Sequence, residues 1–254
     1  MSVAGSDSGA GAGIQADLLA FAAHGVYGCT AVTALTAQNP DEVRAVHTPC
    51  AKFVRAELEA VFDYYRPAAA KTGMLSDSAV ARAAADFFAA HREILLVADT
   101  VMFSTSGARL LEKDAQRVLE ERLIPLSSVF TPNLDEAREL LGGKLPKDPR
   151  EAARRLSGKF GAAVLLKGGH RAGDEIVDIL ADAAGGVFEF RGKRVRGVNT
   201  HGSGCTLSAA IAANLALGKP LPEACERARG YLVAGMKNPL ETRGGKFINH
   251  FPKK

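Results

Sequence analysis

With 254 residues, 47% of them hydrophobic, the chain is long enough to bury a sizeable core, as one large α/β domain or two small ones. The net charge of +4 is spread along the sequence, and the densest basic run, residues 191–196, is too short for a nucleic-acid surface; it suits a solvated strand end or a grip on a phosphorylated ligand. The cysteines Cys29, Cys50, Cys205 and Cys225 form no C-x-x-C pair, which argues against a disulfide framework and structural zinc, and the absence of a basic leader or an apolar run near ~20 residues leads to the expectation of a soluble, cytoplasmic protein without a membrane partner.

Residues 2–4 start a strand, broken at once by a loop holding Gly5, Gly9, Gly11 and Gly13. A helix follows, with Ile14, Leu18 and Phe21 on one face and Asp17 in its second turn. The loop is neither a dinucleotide fingerprint, since Ile14 stands where a third glycine is needed, nor a P-loop, since no Gly-Lys precedes Ser or Thr. It offers a flexible backbone that a small polar ligand can approach closely. Residues 26–37 read as a buried strand ending at Gln38-Asn39-Pro40, and 49–65 as a helix. A weak strand over 68–72 closes at Gly73-Met74-Leu75, and Ser76 is expected to cap a helix running to about 90. The strand 94–98 ends in Asp99-Thr100-Val101-Met102, and a helix is expected over 107–122, carrying Leu110, Leu111, Val118 and Leu119. Strand 128–131 runs into Pro132-Asn133 and the helix 134–141. A helix over 149–160 leads to strand 163–167 and the stop Gly168-Gly169-His170. The runs 176–181 and 187–195 look antiparallel. They precede the turn 199–206, an alanine-rich helix from near Leu207, a second helix and a glycine-containing tail. Such strand–helix alternation with short loops means parallel βαβ units, here one doubly wound α/β domain over 1–254.

Unusual polar residues fall at the C-terminal ends of these strands: Ser6 and Asp7, Gln38 and Asn39, Lys71 and Thr72, Asp99, Asn133, Lys167, Asn199 and Thr200. Ligands of open α/β sheets bind outside those ends. Each residue alone is by default a turn or capping residue; together they outline a cleft. The turn Asn199-Thr200-His201-Gly202-Ser203-Gly204-Cys205-Thr206 precedes a helix, whose first N–H groups and positive dipole end attract anions. That field is expected to lower the pKa of the Cys205 thiol; the alternative is a glycine-rich connection with a buried cysteine. Asn133 and Glu136, three apart, could offer oxygens to Mg²⁺ or could simply cap their helix. Lys167 suits a phosphate counter-charge or a solvated strand end. His170, His201 and His250 stand singly, and no G-x-S-x-G elbow supports a serine triad. An anion hole, a lysine, an Asn/Glu pair and an acceptor cleft make a kit for phosphoryl transfer.

Eight segments in order carry a resemblance across almost the whole chain: Ala4-Gly5-Ser6-Asp7, Gly11-Ala12-Gly13-Ile14-Gln15-Ala16-Asp17-Leu18, Gly25-Val26-Tyr27-Gly28, Thr33-Ala34-Leu35-Thr36-Ala37-Gln38-Asn39, Lys71-Thr72-Gly73-Met74-Leu75, Thr131-Pro132-Asn133-Leu134, Lys167-Gly168-Gly169-His170 and the turn 199–206. In these the chain resembles the hydroxymethylpyrimidine (phosphate) kinases of thiamine biosynthesis, within the ribokinase-like superfamily. The resemblance implies a three-layer α/β/α sandwich with a mostly parallel central sheet, usually a homodimer. It implies that MgATP phosphorylates 4-amino-5-hydroxymethyl-2-methylpyrimidine and then its monophosphate. Carried over by motif, Gly5, Asp17, Gln38, Met74 and Val101 line the pyrimidine pocket, with Asp17 and Gln38 hydrogen-bonding the ring. Asn133, Lys167, Thr200 and Ser203 meet nucleotide and phosphate, Glu136 and Asp99 meet Mg²⁺, and Gly202, Gly204 and Cys205 form the anion hole. Cys205 stands where the superfamily's sugar kinases carry an aspartate base. Two departures stand out. Thr100 replaces the family's usual proline, which puts loop rigidity in question, and residues 103–106 lack a customary lysine. The chain also starts almost at its first strand, so N-terminal contacts are expected to be missing. A pyridoxal kinase, whose substrate also presents a hydroxymethyl on a nitrogen ring, and a non-catalytic pyrimidine-binding module are the alternatives. Lys167, Glu136 and Cys205 together speak against the latter.

Overall fold

The computed structural model describes residues 1–102, 111–169 and 173–252. Its strands are β1 (Ser2–Asp7), β2 (Thr30–Gln38), β3 (Val43–His47), β4 (Ala69–Thr72), β5 (Leu95–Ala98), β6 (Val129–Phe130), β7 (Ala163–Leu166), β8 (Glu175–Ala181) and β9 (Val187–Lys193), with a separate hairpin of β10 (Leu240–Thr242) and β11 (Gly245–Phe247). The main sheet has nine strands in the order β3-β2-β1-β4-β5-β6-β7-β8-β9. The strands from β2 through β7 pair in parallel, while β3, β8 and β9 run antiparallel at the two edges. Buried Ala, Val and Leu runs in β4, β5 and β7 belong to a sheet covered on both faces.

On one face lie α1 (Gly13–Ala23), α7 (Ser203–Ala216) and α8 (Leu221–Lys237); on the other lie α2 (Ala51–Tyr65), α3 (Ser78–Ala90), α4 (Lys113–Val118), α5 (Leu134–Leu140) and α6 (Pro149–Phe160). The architecture is thus the expected three-layer α/β/α sandwich. Helix α7 is buried without interruption from Thr206 to Leu215 because it lies between the sheet and the helices α1 and α8. Its alanines keep those layers close.

Several local expectations are corrected. β1 runs on to Asp7, through the glycine expected to break it, because Gly5, Ser6 and Asp7 still pair with Ala34, Leu35 and Thr36 of β2. β3 was not expected; its side chains show no two-residue alternation, since Arg44 through His47 are all exposed. Ser76 does not cap α3. It sits at a left-handed φ of 58° with its hydroxyl 2.6 Å from that of Thr48, and Asp77 is the cap, accepting from the Ala79 and Val80 N–H groups. The helix expected over 107–122 is shorter where described. After α4 the chain passes through a π turn (Leu119–Leu123) into a 3₁₀ turn (Ile124–Leu126), because Pro125 has no N–H to continue the ladder. Residues 107–110 of that expectation, the loop 103–106 and His170 lie outside the described residues.

Candidate active site

All six parallel strands deliver their C-terminal ends to one side of the sheet, and a cleft of about 590 Å³ opens there. Two connections wall it. The first is the glycine loop after β1, which is held rather than flexible: Asp7 accepts from Gly9 N–H at 2.7 Å, Gly11 N–H at 3.1 Å and Ala12 N–H at 2.9 Å. Gly13 has φ +60°, and a Cβ there would lie 2.3 Å from the Gly5 carbonyl oxygen, so only glycine fits. The second is the turn before α7, whose Gly202 has φ +78° and would drive a Cβ to 1.7 Å from the Gly11 carbonyl oxygen. His201 Nε2 lies 2.8 Å from Asp7 Oδ2, joining the two connections across 194 positions of sequence. Asn199 accepts from His201 N–H and donates its own N–H to Lys246 O, which ties the turn to the β10–β11 hairpin.

Cys205, Gly204, Ser203, Gly202 and Thr200 line one wall. The start of α7 has no side-chain cap; the Ser203 N–H is taken by the Thr200 carbonyl, and the Gly204 and Cys205 N–H groups are uncapped. The expected lowering of the Cys205 thiol pKa is corrected: burial pushes the thiol up, outweighing the opposing pull of the Lys71 ammonium and the Gly13 N–H. Packing at the helix start takes the sulfur out of water.

Lys167 follows β7, bridged to Asn133 at the end of β6. Its ammonium is 3.3 Å from Asp99 Oδ1, and its side chain keeps 18% exposure. Burial works against that charge, yet Asp99 and Glu136 hold its pKa above the ordinary lysine value. Asp178, a residue sequence reasoning missed, accepts from Gly168 N–H at 2.7 Å and from Arg229 Nε at 2.8 Å, so α8 braces the backbone just beyond Lys167.

Asn133 and Glu136 form a reciprocal capping box. Asn133 accepts from the Asp135 and Glu136 N–H groups, and Glu136 Oε2 accepts from Asn133 N–H at 2.8 Å. The cap reading therefore holds, and both residues also line the cleft. Glu136 Oε2 takes a further bond from Thr100 at 3.1 Å, whereas Oε1 takes only a long one from Met102 N–H at 3.4 Å. Thr100 is thus tied to Glu136 through its side chain. Asp99 accepts from Thr131, Lys167 and Ser208. Among the described residues no three His, Cys, Asp or Glu side chains gather into a metal cage. This donor set fits Mg²⁺ carried mainly on phosphates and water and touched by one or two carboxylates.

Gly5, Gln38, Met74 and Val101 line the same cleft. Asp17 does not, which corrects the expectation that it meets the ring directly. It is fully buried behind the wall, where both of its oxygens lie 2.9 Å from Lys71 Nζ and Oδ2 accepts from Ser2 at 2.5 Å. Helix spacing shows which face Asp17 is on, not its depth. Lys71 takes its place on the cleft wall.

A family model described as phosphomethylpyrimidine kinase matches residues 7–250. The chain is 45% identical over 257 residues to the hydroxymethylpyrimidine/phosphomethylpyrimidine kinase of Rhizobium meliloti, covering 99% of this chain and 96% of that protein. It is 44% identical over 254 residues to the thiamine biosynthesis bifunctional protein ThiED of Geobacter sulfurreducens; 98% of the chain aligns, but it spans about half, 51%, of that longer relative. Among solved structures, an ADP complex of Bacillus subtilis pyridoxal kinase superposes with a TM-score of 0.88 at 32% identity, over 99% of this chain and 96% of that one.

Proposed function

The chain belongs to the phosphomethylpyrimidine kinase family, and on that footing we propose that it transfers the γ-phosphoryl group of ATP to the hydroxymethyl oxygen of 4-amino-5-hydroxymethyl-2-methylpyrimidine, then phosphorylates the monophosphate to the diphosphate used for thiamine. The observation that carries this reading is one cleft bringing the phosphate-side groups, Lys167 and the α7 N-terminus, to the pyrimidine-side groups Gly5, Gln38, Met74 and Val101. Gln38 supplies amide hydrogen bonds to the ring, and Met74 and Val101 supply its apolar contacts.

Phosphoryl transfer asks the protein for position and charge more than for covalent chemistry. The N–H groups of Gly204 and Cys205, with Gly202 shaping the turn, receive the oxygens of the transferring group. Thr200, Ser203 and Asn133 border the phosphates, and Lys167 neutralises charge that moves toward ADP. Cys205, as thiolate, takes the hydroxymethyl proton; the oxygen forms its bond to γ-phosphorus as the bond to the β-phosphate oxygen breaks and ADP leaves. The proton on Cys205 returns to solvent. Glu136 and Asp99 would hold Mg²⁺, which when bound neutralises phosphate charge.

Pyridoxal phosphorylation is the second reading, favoured by the close superposition on a pyridoxal kinase. A non-catalytic pyrimidine-binding module has no use for Lys167 and Cys205 in the same cleft. Residues 1–254 form one kinase domain in this proposal, acting in the cytoplasm as a homodimer. Four free thiols support a reducing compartment, and the exposed side chains of Leu35 and Val46 near the β3 edge support a second copy. No helix among the described residues is long and apolar enough to cross a membrane. ATP consumption with hydroxymethylpyrimidine, its monophosphate and pyridoxal in parallel tests the assignment. Turnover on both pyrimidines is expected; none on any substrate overturns the kinase, and turnover on pyridoxal alone overturns the substrate.

A further inference from the structure

Lys71 heads the fully buried side chains by volume, and its partner Asp17 is equally buried. Taking both charges out of water is costly, and a well-packed apolar pair of similar size would stabilise a core as well or better. A buried ion pair on a cleft wall is therefore a candidate for function. The wall leaves the ammonium little room: a Cβ on Gly73 would stand 3.0 Å from Lys71 Nζ and 2.9 Å from Ala4 Cβ. An ammonium has three N–H donors. Among the described residues only the two Asp17 oxygens accept from it. Lys71 and Cys205 line the same cleft.

We propose that Lys71, clamped by Asp17, is a positioning residue that acts through Cys205: a fixed positive charge on the wall of the cleft that they share, which lets the thiol give up its proton and so receive that of the hydroxymethyl group. This rests on the kinase reading above. The charged groups whose fields reach Lys71 are Asp17 from α1, Asp99 beyond β5 and Cys205 from α7, and Asp99 in turn feels both Lys71 and Lys167. Burial works against the ammonium, yet Asp17, with Cys205 and Asp99, holds its pKa above the ordinary lysine value, so Lys71 keeps its proton throughout. Burial also pushes the Asp17 carboxyl up while Lys71 opposes it. The two shifts pull opposite ways on the pair, but contacts of 2.9 Å to both carboxylate oxygens fit a charged one. Lys71 is foremost among the groups that draw the Cys205 thiol back down.

The test is the pH dependence of Cys205 alkylation by iodoacetamide, located by peptide mass spectrometry, in the full chain without nucleotide. In Lys71→Met the alkylation rate at pH 8 should fall about tenfold and its midpoint rise by about one pH unit, with Lys71→Arg restoring most of both. The kcat for hydroxymethylpyrimidine should fall in parallel while the KM for ATP stays within about twofold. Lys71→Met leaves Asp17 buried and unpaired, so Asp17→Asn/Lys71→Met, which leaves neither charge behind, decides the matter if the single variant does not fold. The Asp17 carboxylate itself pushes the Cys205 thiol up, so the double variant should show a smaller rise in midpoint than Lys71→Met, and a folded variant of either kind with no rise at all overturns the proposal. A shifted profile with unchanged kcat overturns its catalytic half. If the wild-type chain phosphorylates nothing, the kinase reading fails by itself, while the alkylation profile still judges Lys71.

Discussion

Substituting Gly204 with alanine separates the fold from the chemistry at the start of α7. Gly204 has no left-handed φ, and a Cβ built there meets only Lys167 Nζ at 3.5 Å and Asp99 Oδ2 at 3.7 Å, ordinary contact distances. Alanine in a helix is favoured over glycine by about 0.5–1 kcal/mol. At about 2–4 °C per kcal/mol for a chain of this size, the melting temperature should hold or rise by about 1–3 °C. The methyl, however, stands between the helix N–H groups and Lys167, in the space a transferring phosphoryl group needs. Pushing that group away from one such preorganised donor should cost about 10²-fold in kcat, roughly 2.7 kcal/mol of barrier. The assay is coupled ADP release alongside a thermal melt. Gly202→Ala is the opposing control. Its φ of +78° and the 1.7 Å approach to the Gly11 carbonyl should cost about 1–3 kcal/mol from strain alone and lower the melting temperature. A Gly204→Ala protein within threefold of wild-type turnover would refute the placement of the transferring group.

The other predictions follow from single contacts. Lys167→Met should retain the fold and lose about 10²–10³-fold in kcat, read in the same ADP-release assay. Thr100→Val removes the hydroxyl that bonds Glu136 Oε2 and should cost about 1 kcal/mol of stability in a denaturant titration, with a higher Mg²⁺ requirement for activity. The Asp7 carboxyl is pushed up by burial, but His201 and the Gly9 and Ala12 N–H groups outweigh this and hold it below the ordinary value. The unfolded chain therefore binds the extra proton, so stability from this group is complete above about pH 3.9 and is lost as pH falls through the folded value. His201→Ala should lower the melting temperature at pH 7 by about 3–6 °C, from a charged hydrogen bond of about 1.5 kcal/mol. That gap should narrow on titration below about pH 4; a gap that does not change with pH would separate Asp7 from the effect.

Much of the fold was legible from local pattern. The apolar β-branched runs became the central parallel strands, and α6 begins at Pro149 and ends before Gly161, where N1 proline and a left-handed glycine mark helix boundaries. The polar residues at strand ends were legible as a cleft because parallel strands carry all their C-termini to one side. β3 was not, since its exposed residues lack alternation. Ser76 misled because serine and aspartate both cap helices, and only the turn at φ 58° shows which of two neighbours is placed to do so.

What the sequence determined by itself was the order of the central strands and of the helices, the segments that border the cleft, and the family to which those segments point. These depend on residue type and on spacing within one element. Depth and long-range pairing were decided only by the tertiary structure. Asp17 proved to be a buried counter-ion to Lys71, 54 positions away. Asp7 reaches His201 across 194 positions to hold the glycine loop against the turn before α7. Cys205 sits in the first turn of α7, yet its thiol is pushed up, because desolvation depends on everything packed around a group and here outweighs the pull of Lys71 and the Gly13 N–H.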